Sequence, residues 1–138
     1  MYATQAGYVQ TYNSAGIIAN SYLYASDRRL KQNIVPLSDS LSKILSLNGY
    51  SFDWKSDGKH DIGVIAQEIE KIFPALVHTN PGTGMKSVEY GNLVAPIIEA
   101  IKELASTVKN NTTEINTLKS ENAILKARLD QIEARFAQ

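Results

Sequence analysis

The last third of the chain carries a seven-residue repeat of apolar positions. Counted from Val94, eleven of the thirteen a and d positions are apolar, and the repeat continues through six heptads without a break. A helix packed on a single domain shows a wider apolar stripe, whereas a narrow a/d stripe is typical of a coiled coil. Because Pro96 is tolerated in a first helical turn, the pattern predicts a coiled-coil helix of about 60 Å that begins between Asn92 and Pro96.

The number of strands in this coiled coil follows from short signals in the seam. β-Branched a residues beside Leu at d favour dimers, whereas Leu129 at a with Ile132 at d favours higher states. The segment from Arg128 to Glu133 resembles the Arg-h-x-x-h-Glu pattern of trimeric coiled coils, and it favours a parallel homotrimer. Asn111 and Asn122 are interpreted as register markers that suppress slipped assemblies, or else as tolerated polar defects. The predicted trimerisation residues are Ile101, Leu104, Val108, Asn111, Ile115, Leu118, Asn122, Leu125, Arg128, Leu129, Ile132 and Glu133.

Between this repeat and residue 38 the pattern alternates between short helices and short strands. A helix is predicted from Asp39 to Leu47, with Leu41, Ile44 and Leu45 on one face and Ser38 or Asp39 as its cap. The other predicted elements are an alternating strand at Tyr50, Phe52 and Trp54, a strand from Ile62 to Ile65, a helix from Ala66 to Phe73 stopped by Pro74, a strand over 75–79, a turn from Asn80 to Gly84 and a strand from Lys86 to Tyr90. The predicted fold class is therefore α+β, with a small mixed unit followed by a long C-terminal helix that forms a parallel trimeric coiled coil.

Charge divides the chain sharply at Ala25. All 28 charged residues, 14 basic and 14 acidic, lie after this position, and five of the seven tyrosines lie before it. A secretory signal fits this first segment badly, because it has no basic start and polar residues interrupt each apolar run. An uncharged, tyrosine-rich stretch is prone to β-association, so we expect residues 1–25 to be the truncated end of a larger β-structured assembly.

Composition removes several classes of function. The formal net charge is zero, which gives no general attraction to nucleic acid or to an anionic membrane. Cysteine is absent, so disulfides, thiol catalysis and cysteine zinc sites are excluded. The apolar runs fall well short of the roughly 20 residues that a membrane span needs. We therefore expect no nucleic-acid partner and no membrane partner.

Individual motifs offer little conventional enzyme chemistry. A phosphate-binding loop would need Gly where Asn80 and Met85 stand, so the glycine-rich segment is predicted to be a hairpin turn. His60 and His78 are too few and too far apart for a metal site, and the spacing assembles no Ser-His-Asp set. The basic cluster at residues 28–31 is shorter than a DNA-binding basic region. No metal and no cofactor are predicted.

A family resemblance begins at the charge boundary. The chain resembles the C-terminal intramolecular chaperone auto-processing domain of phage tailspikes, endosialidases and tail fibres. The resemblance extends from Ser26 to Leu104 and rests on an ordered series of strings, each weak alone. They are Ser26-Asp27-Arg28-Arg29-Leu30-Lys31, Asn33-Ile34, Leu47-x-Gly49-Tyr50-x-Phe52-x-Trp54, Gly63-Val64-Ile65-Ala66-Gln67-Glu68-Ile69-Glu70, Phe73-Pro74, Val88-Glu89-Tyr90, Leu93-Val94 and Ile97 to Leu104.

The resemblance implies a single-turnover, self-cleaving serine peptidase with a Ser-Lys dyad. The cut would fall between Ala25 and Ser26, with Ser26 as the nucleophile and Lys31 as the general base. Positions i and i+5 point apart on a helix and on a strand, so the pair requires a turn or a lysine from a neighbouring chain. Without the resemblance, Ser26 would be interpreted as a helix cap and residues 27–31 as a solvated charged turn.

The implied organisation has three parts. Residues 1–25 are the end of the fibre, residues 26–92 are the α+β chaperone unit, and residues 93–138 are the trimerisation helix. The implied partners are two further copies of the chain and its own upstream fibre segment, which is the folding client. The implied setting is a tail fibre precursor made in the host cytoplasm, with the chaperone part released and absent from the mature virion.

Two other functions explain part of the same pattern. A non-cleaving trimerisation module at the end of a fibre or adhesin explains the heptads, but it does not explain why the charge boundary coincides with the serine and lysine. A membrane-tethered transcription factor of animals uses a related domain to trimerise and release itself. The fibre-like first segment favours a phage origin.

Overall fold

The structure is a computed structural model that describes residues 20–21 and 23–136. The predicted fibre end therefore lies mostly outside the described residues. The chain divides into two units, one formed by the residues up to Pro36 together with Ser51–Gly63, and the other by Leu37–Tyr50 together with the residues from Val64 onward. Short strands and helices precede one long helix, so the predicted α+β class is confirmed.

A hairpin dominates the first unit. Its strands are β1, Tyr50–Asp53, and β2, His60–Gly63, which pair in a two-stranded sheet. The connection over residues 54–59 is too short for a parallel crossover, so the strands are antiparallel. The main-chain N–H of Trp54 donates to the Lys59 carbonyl over 2.9 Å, and Gly58 supplies the positive φ of 70° that the turn requires.

Strand β2 differs in its limits from the strand predicted at residues 62–65. It begins at His60 and ends at Gly63, and Ile62 is 77% exposed. The side chain of His60 bonds across the hairpin to Asp53 and Ser51, which explains why pairing starts there rather than at the apolar residues. Trp54 lies just beyond β1, where its indole N–H donates to Asp61 over 3.1 Å.

The second unit contains two short helices and a second hairpin. The helices are α1, Ser40–Leu45, and α2, Ala66–Ile72, and the strands are β3, Val77–Thr79, and β4, Lys86–Val88. The predicted stop at Pro74 is confirmed, because α2 ends at Ile72. The strand predicted over 75–79 is shorter, since residues Pro74–Leu76 form a 3₁₀ turn.

The predicted turn between β3 and β4 is confirmed. The strands are antiparallel, with Val77 opposite Val88 and Thr79 opposite Lys86. The Asn80 side-chain oxygen accepts the main-chain N–H groups of Gly82 and Thr83 at 2.8 and 3.1 Å. An asparagine that satisfies the N–H groups of the next residues is a standard way to close a turn. This segment is therefore a hairpin loop. The sequence predicted this, because the segment lacks the glycines that a phosphate-binding loop needs.

The long helix α3 runs from Val94 to Phe136, a length of 43 residues or about 65 Å at the usual rise per residue. It follows a 3₁₀ turn at Tyr90–Leu93, so it begins inside the predicted window. Pro96 lies in its first turn, where no main-chain partner is lost. No helix in residues 20–21 and 23–136 is long and apolar enough to cross a membrane.

The interior of the described chain is very small. Ile69 and Ala100 are the hydrophobic residues that are buried in the described part. Eight apolar seam residues of α3 are between 49% and 61% exposed, namely Ile101, Leu104, Val108, Ile115, Leu118, Leu125, Leu129 and Ile132. These residues form an exposed apolar stripe along α3, which Asn111 and Asn122 interrupt.

The packing of α1 on α3 corrects the predicted cap. Asp39 adopts a left-handed backbone conformation with φ of 55°, and its side chain makes no cap hydrogen bond. Glu103, on α3, accepts the main-chain N–H groups of Ser40 and Leu41, each over 2.9 Å. A carboxylate here also suits the positive end of the helix dipole. The cap of α1 therefore comes from a residue more than sixty positions away.

One predicted face residue of α1 lies outside the packed face. Leu45 is 75% exposed, whereas Ser40 is buried at 1%. Leu45 is five residues from Ser40 and lies about 140° around the helix from it. The side of α1 that carries Ser40 is therefore buried, and Leu45 faces outward.

We predict that Glu103→Ala lowers stability by about 1–2 kcal/mol, since it leaves two N–H groups of α1 without their acceptor. Glu99→Ala is the matched control, because Glu99 makes only an exposed pair with Lys102 on the same helix. Urea denaturation at one fixed chain concentration measures both. Equal shifts in the two variants would contradict the capping role of Glu103.

Candidate functional site

A single 3₁₀ turn positions the predicted dyad. Residues Arg28–Leu30 form the turn, and the Asp27 carboxylate caps it by accepting the Arg29 main-chain N–H over 2.8 Å. The Leu30 and Lys31 N–H groups donate to the carbonyls of Asp27 and Arg28 at 3.0 and 3.1 Å. The cap is therefore Asp27, and the alternative in which Ser26 itself caps a helix is wrong.

This turn brings Ser26 and Lys31 together. The Lys31 Nζ donates to the Ser26 Oγ over 2.7 Å. The expectation that such a pair requires a turn is confirmed, and the contact is made within one chain. Both side chains are exposed, as is Ala25, the residue on the other side of the predicted cut. The nucleophile and base named by the resemblance are thus within hydrogen-bond distance of one another.

An ion pair between Arg29 and Asp27 reduces the positive charge around Ser26 and Lys31. The Arg29 Nη2 lies 2.7 Å from Asp27 Oδ2, and its Nε donates to Oδ1 over 3.0 Å. This side-chain hydrogen bond, followed by that of the Arg29 main-chain N–H, lowers the pKa of Asp27. The same bond raises the pKa of Arg29. Of the two arginines in the turn, Arg29 is therefore offset by Asp27, whereas Arg28 is not.

A lysine acts as a general base only in its neutral form. An ammonium has three donors and no acceptor, whereas a neutral amine has a lone pair that accepts a proton. Lysine in water holds its proton to about pH 10.4. Desolvation or nearby positive charge favours the neutral amine. The geometry of a Ser-Lys pair is present in this chain.

The first hairpin holds a second serine contact that the sequence did not predict. His60 Nδ1 lies 2.8 Å from Asp53 Oδ1, and His60 Nε2 lies 3.0 Å from Ser51 Oγ. The spacing assembled no Ser-His-Asp set, and the structure corrects this, because the turn at Gly58 folds β2 back onto β1. The Asp53 and His60 side chains are each 68% exposed. We interpret the three residues as cross-strand bonds that fix the register of the hairpin.

The predicted trimerisation residues all lie on α3, in its exposed part. The seam that they form includes the two asparagines at Asn111 and Asn122, and the Arg128 and Glu133 side chains beside it are also open to solvent. An exposed apolar stripe of this length marks an interaction surface. This stripe is the second candidate site.

The histidines take part in local pairs. His78 Nε2 lies 2.7 Å from Glu89 Oε1, within the second hairpin region. Among residues 20–21 and 23–136, no three His, Asp or Glu side chains come close enough together to hold a metal ion.

Comparison with known proteins agrees with the resemblance. Residues 26–78 match the family model described as the chaperone of endosialidase. The match begins at Ser26, includes Lys31, and continues through both strands of the first hairpin and helix α2. The family resemblance predicted from the sequence is therefore confirmed for this segment.

Phage tail fibre proteins are among the relatives. The chain is 29% identical over 133 residues to the long tail fibre protein Gp37 of Salmonella phage S16, an alignment that covers 89% of this chain and 17% of that protein. It is also 29% identical over 107 residues to the Gp37 proteins of Enterobacteria phages K3 and T2, covering 71% of this chain and 8% of each relative. The chain thus spans a small part of the length of the relatives that it matches.

We predict that the Asp27 carboxyl titrates below its ordinary pKa of about 3.9 and that Arg29→Gln raises its midpoint. Because the pKa is lowered in the folded turn, the contribution of Asp27 is complete above about pH 4 and is lost as the pH falls through the lowered value. NMR titration of Asp27 in a Ser26→Ala background measures the midpoint. A midpoint unchanged by Arg29→Gln would contradict the role of the ion pair.

Proposed function

From the match of residues 26–78 to the endosialidase chaperone family, we propose that this chain is the intramolecular chaperone of a phage tail fibre or tailspike. It trimerises through α3, templates the folding of the fibre segment that precedes it, and then releases itself between Ala25 and Ser26. The observation that carries the proposal is the 2.7 Å contact between Lys31 Nζ and Ser26 Oγ, at the point where the family match begins.

The cut is a reaction of the chain with itself. Neutral Lys31 takes the proton from Ser26 Oγ, which attacks the carbonyl carbon of Ala25. Nitrogen leaves that carbon with a proton returned by Lys31, so an ester joins Ala25 to the Ser26 oxygen and the Ser26 amine is free. Water then hydrolyses the ester and regenerates the hydroxyl. Direct attack by a water on the same carbonyl gives the same products.

Activation of the lysine requires that its proton be lost near neutral pH. In the described chain the Ser26 and Lys31 side chains are open to water, and Arg29 is offset by Asp27. Burial between chains would disfavour the charged amine, and Arg28 would add to that effect. Cleavage is therefore delayed until the trimer has formed, which is the order that a folding template needs.

The seam of α3 supports the trimer. Eight apolar residues between 49% and 61% exposed lie on one stripe of the helix. Covering a half-exposed Leu or Ile contributes on the order of 1 kcal/mol, and a trimer repeats this gain in every layer and in each chain. Arg128 at g and Glu133 at e are spaced to pair between neighbouring helices.

A trimeric template suits an interlocked β-structured client. Contacts between distant parts of three chains form slowly, because loop-closure entropy must be overcome before they stabilise anything. A coiled coil that holds the chains in register supplies a high effective concentration of their ends. After the cut the template is gone, so the durability of the fibre depends on its unfolding barrier.

The same proposal includes the partners of the chain and its location. The partners are two copies of this chain and the upstream segment of the same chain. The precursor is made in the host cytoplasm, and the released chaperone is absent from the mature virion.

We predict that Ser26→Ala and Lys31→Arg both leave the chain uncut and trimeric. Arginine keeps the charge and the hydrogen-bond donors of lysine but does not give up its proton. If Lys31 is the base, Lys31→Arg therefore lowers the cleavage rate at least about 10³-fold, whereas a lysine that only positions Ser26 by its charge would be replaced without such a loss. Intact mass spectrometry measures the cut, with Ser42→Ala and Lys55→Arg as matched controls that remain cleavable. Cutting of Lys31→Arg at the wild-type rate would contradict the role of Lys31 as base.

We predict that Leu118→Asp abolishes the trimer and, with it, cleavage, because it places three carboxylates in one layer of the seam. Thr117→Asp adds the same charge one position away, on the outer face of the helix, and retains both properties. Sedimentation velocity gives the number of chains and intact mass gives the cut. A monomeric Leu118→Asp chain that is still cut would contradict the coupling of cleavage to assembly.

A further inference from the structure

The segment between the proposed nucleophile and base contains a side chain that stabilises the turn joining them. Asp27 follows Ser26 directly and precedes the 3₁₀ turn at Arg28–Leu30. Its backbone is extended, with φ of −61° and ψ of 135°, and Lys31 on the other side of the turn is extended as well, with φ of −122° and ψ of 144°. The turn therefore determines the direction in which the chain continues to Lys31, and with it whether the lysine amine meets the serine hydroxyl.

Asp27 makes two hydrogen bonds to the main chain of this turn. Its Oδ1 accepts the Arg29 N–H over 2.8 Å, and its carbonyl oxygen accepts the Leu30 N–H over 3.0 Å. Any residue offers the carbonyl, whereas the first bond needs a short side chain that carries an oxygen acceptor. The side-chain bond to the Arg29 N–H is therefore what an aspartate in particular adds to the turn.

The ion pair between Asp27 and Arg29 adds less. The two side chains are 44% and 89% exposed, and pairs this open to solvent are weakened by water and by salt. The Arg29 N–H lies in the first turn of a helical element, where it has no partner within the element. A side-chain oxygen that accepts such an N–H is worth about a fivefold change in population.

Packing adds little to the stability of this turn. All described residues from Tyr24 to Asp39 are exposed, and none in the turn is buried. Local hydrogen bonds therefore determine how often the turn is formed in the described chain. A reaction that proceeds from only one conformation slows in proportion to the population of that conformation. A change in the turn is thus expected to change the rate at which Ser26 and Lys31 react.

We propose that Asp27 is a positioning residue for self-cleavage, because its side chain accepts the Arg29 N–H and so holds the turn in which Lys31 reaches Ser26. This inference rests on the function proposed above. Asp27 acts through its oxygen acceptor rather than through its charge. Asparagine, which caps a helical turn as well as aspartate does, should therefore replace it.

The test compares two variants that remove the same charge. Asp27→Asn keeps a side-chain oxygen for the Arg29 N–H, whereas Asp27→Ala does not. Both lack the carboxylate, so any effect of its charge on the protonation of Lys31 is common to the two. Intact mass spectrometry of the full chain follows the cut from the start of synthesis. We expect Asp27→Ala to be cut about fivefold more slowly than Asp27→Asn.

Asp57 offers a matched control in the first hairpin. Its Oδ1 accepts the Lys59 N–H over 3.1 Å, which is the same bond to the second residue onward, in a turn that contains neither Ser26 nor Lys31. Asp57→Ala should be cut at the wild-type rate. Sedimentation velocity of each variant in a Ser26→Ala background gives the number of chains, so that a loss of assembly is distinguished from a loss of positioning.

The outcomes separate the positioning role from the proposed function. Equal rates in Asp27→Ala and Asp27→Asn, an equal loss in Asp57→Ala, or slow cutting of an Asp27→Ala chain that no longer trimerises overturns the positioning role and leaves the proposed function intact. A wild-type chain that is never cut overturns both. Slow cutting of a trimeric Asp27→Ala chain, beside wild-type rates in Asp27→Asn and Asp57→Ala, establishes the positioning role.

Discussion

The exposed apolar seam of α3 is the constraint on which the rest of the structure depends. The described residues bury only Ile69 and Ala100 as hydrophobic core, whereas residues from Ile101 to Ile132 present a half-exposed stripe. Ordering each residue costs about 1–2 kcal/mol of conformational entropy, and so small an interior does not offset that cost. In the trimer that we propose, other copies of the chain cover this stripe, which is the property expected of a template that must assemble before it acts.

The helix that carries this seam is joined to α1 by hydrogen bonds to one carboxylate. Glu103 lies at the c position, one residue before the seam residue Leu104, and caps α1 through Ser40 and Leu41. The same helix that presents the stripe thus also holds the first helix of the second unit.

The site at Ser26 differs from this contact, because residues that are close together in the sequence form all of it. A six-residue segment contains the nucleophile, the capping carboxylate, its arginine partner and the lysine, and one 3₁₀ turn arranges them. Such a site needs no core in order to form. Its chemistry, however, needs a lysine that has lost its proton, and the exposed turn does not itself exclude water. In the function that we propose, assembly of the trimer excludes this water.

Much of this was predictable from the sequence, and the failures have physical causes. Strong signals were reliable: the heptads and Pro96 predicted the start of α3, Pro74 predicted the end of α2, and Asn80 predicted its turn. The Ser26 and Lys31 contact was predictable as a turn, because their spacing excluded helix and strand.

The errors involved tertiary contacts. No local signal reveals that Glu103 rather than Asp39 caps α1, because that bond joins distant residues. The bonds of His60 to Asp53 and Ser51 depend on the register of a hairpin, which the apolar pattern of β2 misplaced by two residues. In both cases, hydrogen bonds of polar side chains determine where an element begins, which the apolar pattern alone did not predict.

The most direct test of the central claim is native mass spectrometry of the wild-type chain, sampled from the start of its synthesis. We expect that whole chains of 15.2 kDa first appear as trimers and that a chain beginning at Ser26 appears afterwards, with residues 1–25 released. Whole chains that persist as trimers through long incubation would contradict self-release and favour a permanent trimerisation module. Chains cut while still monomeric would contradict the role of assembly.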